Sequence, residues 1–308
     1  MKRILITGGA GFIGSHLIDA LLKMNDIQVR ILDNLNHPNA ARVDEFRCDS
    51  RLEFIDGDVR HLPTVMQAVK NCDLIFHLAA QSNVMRAEAD PVYVFETNVN
   101  GTFNVLHSAL KNGVARVVFS SSREVYGDSQ ALPVNEDAPL QPRNIYGVTK
   151  VSGELQCRLF REQYGLDVRV VRLSNVYGSG DSDRVIPRFC HAIQNGQPLT
   201  LYGGEQVIDF IWIQDAVRSL WEISQLTGCN EPINCGSGHG ITVRQLAENL
   251  CAVSQTQVEL QVMPSRVAEV SRFIADTTRM RTILGWSPDS QSLNYLSDVL
   301  ESYKLKEL

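Results

Sequence analysis

Residues 7–14 read Thr7-Gly8-Gly9-Ala10-Gly11-Phe12-Ile13-Gly14; they follow the short apolar run Ile4-Leu5-Ile6 and open an apolar-periodic stretch. That order is a strand, a glycine turn and a helix start. Gly9, Gly11 and Gly14 satisfy G-x-G-x-x-G, and Gly8, Gly11 and Gly14 give a variant spacing. One glycine makes the tight turn, one lets a pyrophosphate approach the helix N-terminus, and one lets helix pack on strand. Gln28 to Leu32 reads as a second strand ending at Asp33 and Asn34, about 20 residues beyond the glycines, where the fingerprint places its acidic residue. A carboxylate there accepts hydrogen bonds from an adenosine ribose and repels a 2′-phosphate, so NAD rather than NADP is expected. The competing reading, an ordinary α/β turn with a solvated aspartate, does not explain why all these parts occur in order.

The 308 residues can bury a sizeable core in one large domain or two smaller ones. With 21% charged and 44% hydrophobic residues, the composition is that of an ordinary soluble globular protein. A net charge of −6 argues against a nucleic-acid surface. Seven scattered cysteines without a C-x-x-C pair read as reduced thiols of a cytoplasmic protein, and the seven histidines show no ligand spacing, so no metal is expected. The apolar run after Met1-Lys2-Arg3 breaks at glycine too soon for a signal peptide, and no stretch suits a membrane span.

Strands are expected at Ile4–Thr7, Gln28–Leu32, Leu52–Asp56, Leu74–Leu78, Arg116–Ser121 and Val168–Leu173. Their β-branched character and the helical patterns between them predict an α/β fold with a doubly wound, Rossmann-like parallel sheet. Asp90-Pro91 caps a helix towards Leu110, and a second long helix starts near Tyr146 and stops near Tyr164-Gly165. After Leu173 the rhythm changes. Val176 to Gly180 reads as a loop, Val185 to Asn195 as a helix, Thr200 to Ile213 as a strand pair around Gly203-Gly204, and Asn234 to Gly240 as another loop. Residues 1–173 are expected to form the NAD-binding domain, also receiving 205–235, and 174–308 a smaller, interleaved, mixed α/β substrate-binding region.

Tyr146 and Lys150 stand four apart, so a helix presents both from one face. Lowering a phenol from about 10 towards 7 takes about 4 kcal/mol. One positive charge about 4 Å away supplies roughly that at an effective dielectric near 20. Lys150 together with an oxidised nicotinamide would then make Tyr146 a general base for a sugar hydroxyl. Ser120-Ser121-Ser122 ends the fifth strand, where α/β sheets place ligands, and a hydroxyl there can bond the reacting oxygen. In isolation a helix-surface Tyr and Lys, or a serine run closing a strand, would be the plainer reading; behind a complete nucleotide-binding half it is not.

Through these motifs the chain resembles the extended short-chain dehydrogenase/reductase family, specifically its NAD-dependent sugar epimerases and dehydratases. The resemblance spans roughly Lys2 to Pro288. It rests on the glycine turn, His77-Leu78-Ala79-Ala80, Thr97 to Thr102, Ser120 to Gly127, Tyr146 to Lys150 and Asn175 to Gly178. It implies that Ser122, Tyr146 and Lys150 are the catalytic triad, that Glu124 is a further catalytic residue, and that Phe12 and Ile13 lie against the cofactor. It further implies that Asp58 and Val59 contact adenine, Leu78, Ala79 and Ala80 line the cofactor with Ser120, Asn98 helps hold the active-site backbone, and Leu173 borders the nicotinamide. Asn175 and Arg266 fall where relatives bind the substrate diphosphate, and Tyr202 falls near the base. Ser82 and Arg86 join the substrate side, Arg86 aligning with an arginine of dehydratase-like members.

Two departures bear on specificity. Relatives carry Arg-Asp-Phe before the late strand, whereas this chain reads Ile208-Asp209-Phe210. A phosphate-binding arginine is missing, and Arg188 or Arg184 is expected to replace it. The second is Arg123-Glu124, where glycose-4,6-dehydratases carry Asp-Glu. In those relatives the Asp protonates the leaving 6-hydroxyl and the Glu removes the proton at carbon 5. An arginine cannot readily donate a proton near neutrality, so water elimination is disfavoured. Glu124 also occurs in relatives that decarboxylate UDP-glucuronate, and Arg123 would suit a substrate 6-carboxylate through its planar fork.

The resulting expectation is an NAD-dependent nucleotide-sugar 4-epimerase acting through a 4-keto intermediate on a UDP-hexose or UDP-uronate. Its cofactor would be regenerated in each cycle. A 4,6-dehydratase or UDP-glucuronate decarboxylase shares the first oxidation and stays open, as does a non-catalytic dinucleotide-binding regulator. Relatives pair as homodimers through the two long helices, here 92–110 and 146–164, and the same pairing is expected.

Overall fold

The computed structural model describes residues 1–36, 40–46, 48–129, 131–182, 184–288 and 293–304. Aliphatic and β-branched runs form β1 (Lys2–Thr7), β2 (Ile27–Asp33), β3 (Leu52–Asp56), β4 (Leu74–His77), β5 (Arg116–Ser122) and β6 (Val168–Leu173). The later chain adds β7 (Asn175–Tyr177), β8 (Leu199–Tyr202), β9 (Val207–Trp212), β10 (Ile233–Cys235), β11 (Gly240–Thr242) and β12 (Leu260–Met263). Seven strands make one parallel sheet in the order β10-β6-β5-β4-β1-β2-β3. Alternate side chains feed opposite layers. Ile4, Ile6 and Ile31 pack with Leu17 and Leu220 on one face, and Leu5, Leu32 and Val117 pack with Leu106 and Phe160 on the other. Burying a side chain of that size contributes about 1.5–3 kcal/mol. Strand order reverses between β1 and β4, which opens a crevice at the carboxyl ends of the strands.

Both long helices begin close to where the sequence places them. Asp90 accepts from the Tyr93 N–H at 3.0 Å, and its helix runs through Pro91–Phe95, one π-helical turn at Glu96–Asn100, and Gly101–Lys111. The other, Ile145–Tyr164, starts at Asn144, whose side chain accepts from the Gly147 N–H at 2.8 Å, and stops at Gly165 with φ 71°.

Three expectations after Leu173 change. Asn175–Tyr177 is a strand rather than the start of a loop, because it pairs parallel with β9. Thr200 to Ile213 is not a hairpin: β8 pairs parallel with β12, while β9 pairs with β7 and β11. The separate core of Phe189, Leu201, Phe210, Leu246 and Val299 claims these strands through partners distant in sequence. Finally, Asn234 and Cys235 extend the main sheet as part of β10 instead of beginning a loop.

Candidate active site

A cavity of about 640 Å³ crosses the carboxyl ends of the strands, lined by Gly8 after β1, Asp33 ending β2, Leu78 after β4, Ser122 ending β5 and Leu173 ending β6. Its size is that of a small-molecule site. Gly11, Phe12, Ile13, Gly14, Asn34, Val59, Ala79, Ala80 and Ser120 also line it. Gly8 has φ 75°, and a Cβ on Gly14 would lie 2.3 Å from the Gly8 carbonyl oxygen. The turn therefore keeps bare backbone facing the crevice, as an approaching pyrophosphate requires. Asp33 accepts from Ala10 N–H at 2.9 Å with one oxygen and from Leu35 N–H at 2.8 Å with the other. Burial raises its carboxyl above the ordinary range, against these hydrogen bonds. Each oxygen keeps a lone pair for a ribose hydroxyl.

Two of the expected cofactor residues, Asp58 and Asn98, are not part of the cavity lining. Asp58 accepts from Asn34 at 2.9 Å and pairs with Arg60 at 2.9 Å. Asn98, on the π-turn, accepts from the Gln81 N–H at 2.9 Å, and donates to the Gln81 carbonyl at 3.1 Å and to Thr149 Oγ1 at 3.0 Å. Thr149 in turn donates to the Tyr146 carbonyl at 2.7 Å. The same network continues through Thr102 to His77 and Thr7.

Ser122, Tyr146 and Lys150 line the cavity together. The Ser122 hydroxyl neighbours the Tyr146 phenol and favours its ionised form. Lys150 Nζ donates to the Ser120 carbonyl at 2.7 Å and lies 5.8 Å from the Tyr146 ring centroid. Burial pushes the phenol up to about 12, although Ser122, Arg184 and Arg123 pull it the other way. Burial also pushes Lys150 down to about 8. The acidic phenol expected from the sequence is thus not a property of the chain alone, because desolvation outweighs the neighbouring cations. A further positive charge inside the cavity would oppose that desolvation.

Beside the triad, Arg123 and Glu124 form a buried ion pair at 2.9 Å. Arg123 Nε donates to Asn175 Oδ1 at 2.6 Å, and its guanidinium carbon lies 5.8 Å from the Phe273 ring centroid. Asn144 Nδ2 donates to the other Glu124 oxygen at 2.7 Å. The planar fork expected to receive a substrate carboxylate is therefore engaged internally at Nε and Nη2. Nη1 alone remains buried without a hydrogen-bond partner. Asn144 escaped the sequence reading, yet an asparagine just ahead of the Tyr146 helix is an N-cap signal.

Farther along the cavity stand Ser82, Arg86, Asn175, Arg184, Arg188, Tyr202, Ile208 and Arg266. Arg266 stacks on Tyr202 with its guanidinium carbon 3.6 Å from the ring centroid and pairs with Glu269 at 3.0 Å. Arg184 pairs with Asp181 at 3.2 Å and approaches Phe12. Cations thus line the same cavity as Ile208, where the expected arginine is missing. Gln206 and Glu269, also in the lining, carried no sequence signal because loops bring them there. Among the described residues no cluster of metal-ligating side chains occurs, and no helix is long and apolar enough to cross a membrane.

Residues 4–236 match the model of the NAD dependent epimerase/dehydratase family. The chain is 31% identical over 311 residues to a UDP-glucose 4-epimerase of Mycolicibacterium smegmatis, covering 99% of both chains. It is 33% identical over 292 residues to a dTDP-glucose 4,6-dehydratase of Streptomyces griseus, covering 92% of this chain and 89% of that one. Among solved structures, the UDP-glucose 4-epimerase of Thermotoga maritima with UDP-glucose matches with a TM-score of 0.92 at 30% identity, over 99% of this chain and 100% of that chain. Relatives of both reaction types stand at similar identity.

Proposed function

The chain belongs to the NAD-dependent epimerase/dehydratase family, and within it we propose that it is a nucleotide-sugar 4-epimerase working through a 4-keto intermediate on a UDP-hexose or UDP-uronate. The observation that carries this reading is the Tyr146 phenol, beside Ser122 and one helical turn from Lys150, in a cavity that opens onto the glycine turn. Position 123, an arginine, offers no proton to a leaving hydroxyl, which favours epimerisation over elimination.

When bound, NAD supplies the hydride acceptor and a positive ring close to the buried phenol. Tyr146 takes the proton from the sugar 4-hydroxyl, Ser122 holds that oxygen, and Lys150 fixes the wall through Ser120. Asp33 orients the adenosine ribose. The cationic stretch of Arg188, Arg184 and Arg266 holds the diphosphate, and Tyr202 the base, leaving the keto sugar free to turn. Tyr146 then returns its proton to O4 on the inverted centre.

The Val92–Leu110 and Tyr146–Tyr164 segments leave Val92, Phe95, Phe103, Val148, Leu155 and Leu159 exposed, which supports a homodimer built on these two helices. Seven free cysteines accord with a reducing, cytoplasmic setting.

Proton NMR of UDP-, dTDP-, GDP- and CDP-sugars mixed with protein and NAD tests the reading. Inversion at carbon 4 is expected, and Tyr146→Phe should slow it by roughly 10²–10⁴-fold. A new 6-methyl group, carbon dioxide release or an unaffected Phe variant would overturn it.

A further inference from the structure

Once carbon 4 is a ketone, the hydrogens on carbons 3 and 5 become acidic, and any free carboxylate beside the ring is a base for them. Glu124 is a carboxylate in the cavity wall, adjacent in sequence to Arg123 and hydrogen-bonded through its own N–H to Ser122 Oγ at 3.2 Å. It is not free. Arg123 Nη2 holds one oxygen at 2.9 Å and Asn144 Nδ2 holds the other at 2.7 Å. Arg123 is itself fixed from two further directions, by Asn175 Oδ1 at 2.6 Å and by the face of Phe273. The two side chains are only 10% and 8% exposed, so solvent does not compete for the pair.

We infer that Arg123 is a specificity-determining residue that sets the reaction's outcome by occupying Glu124 and withholding it from the carbon acids of the keto sugar. The inference rests on the 4-keto reading above. With both carboxylate oxygens held by donors, the group is occupied and its position is fixed against the arginine. The keto sugar then keeps its carbon-bound hydrogens, and its only productive fate is return of the hydride. The remaining Nη1 donor, buried and unpartnered, suits a single neutral oxygen of the sugar better than a carboxylate. A carboxylate would meet one donor instead of a fork, and the Glu124 charge beside it.

The released chemistry is balanced. A freed Glu124 takes the proton from carbon 5 or 3, the C–H electron pair moves into the enolate of the 4-ketone, and a solvent deuteron returns to the same carbon in heavy water. The test is therefore hydrogen exchange during turnover of UDP-glucose and UDP-galactose in heavy water, read by proton NMR. Wild-type protein should invert carbon 4 and retain the hydrogens at carbons 3 and 5. Arg123→Met should raise exchange per turnover by roughly tenfold or more, and Arg123→Met with Glu124→Gln should return it to the wild-type level. Exchange in the wild type, or an Arg123→Met protein that inverts without extra exchange, would overturn the inference.

Should Arg123→Met fail to fold, Glu124→Gln alone decides. A loss of inversion as deep as that of Tyr146→Phe would show Glu124 to be an obligatory acid–base group. A slowing within about tenfold, with no exchange, supports a carboxylate that takes no proton in the wild-type reaction. Failure of the 4-keto reading is separate: wild-type protein would then invert neither sugar.

Discussion

Thr7 and His77 are register partners on β1 and β4, and Thr7 Oγ1 lies 2.7 Å from His77 Nδ1. Thr102 spends its hydroxyl proton on the Asn98 carbonyl at 2.5 Å, so it accepts from His77 Nε2–H at 3.0 Å. Nδ1 must then accept from Thr7, whose oxygen takes the Ala79 N–H at 3.3 Å. One run of donors joins the wall at Ala79 to the π-turn that holds Gln81 and, through Thr149, the Tyr146 backbone. Such a chain has no place for a second imidazole proton, and burial together with the Lys150 charge pushes His77 down to about 3.

Acid stability follows from this histidine and from His16, which burial and Arg42 push down to about 4. Above pH 6.5 neither folded nor unfolded chain protonates them, and their neutral packing is fully compatible with the fold. As pH falls from 6.5 towards 4, the unfolded chain binds protons that the folded chain refuses, so stability must fall. Across its full window His16 is worth about 3 kcal/mol and His77, whose window reaches down to about 3, about 5 kcal/mol. Urea titrations at a series of pH values should show this slope, and His16→Gln should remove one proton's share of it. An unchanged slope would exclude His16.

Under β5, Arg172 grips Glu154 with Nε at 2.9 Å and Nη2 at 2.7 Å, while Ser121 donates to the same carboxylate at 2.5 Å. Glu154 lies one turn beyond Lys150, so the pair holds the Ile145–Tyr164 helix against β5 and β6. Glu154→Gln should cost about 3–5 kcal/mol by leaving a buried cation uncompensated. Replacing both partners, Arg172→Met with Glu154→Leu, should recover most of that loss in chemical denaturation. A single variant as stable as the parent would contradict this account.

Leu155 and Leu159 are 49% and 44% exposed on the Ile145–Tyr164 helix. Exposed leucines on one face of a helix suit contact with a second copy. Sedimentation should give twice the chain mass, and Leu155→Glu with Leu159→Glu should halve it. A monomeric parent, or an unaffected variant, would remove the dimer.

Much of the nucleotide half was legible along the chain because its signals are local. A strand, its glycine turn, Asp33, the Asp90 cap and the four-residue Tyr146–Lys150 spacing each need only a few neighbouring residues. The later strands were not legible: β8, β9 and β10 find partners far away in sequence, so turn chemistry at Gly203-Gly204 misdirects the reading.

Residue types and short spacings were enough to establish a parallel, Rossmann-like sheet with its glycine turn, and to single out Ser122, Tyr146 and Lys150, which the fold brings to one cavity. Only the folded arrangement decided their electrical state. Burial, a sum over surroundings gathered from the whole chain, raises Tyr146 and lowers Lys150 against what their mutual spacing suggests. It likewise turned Arg123 from an open fork into the holder of Glu124, because Asn144, Asn175 and Phe273 meet there only once the chain has closed.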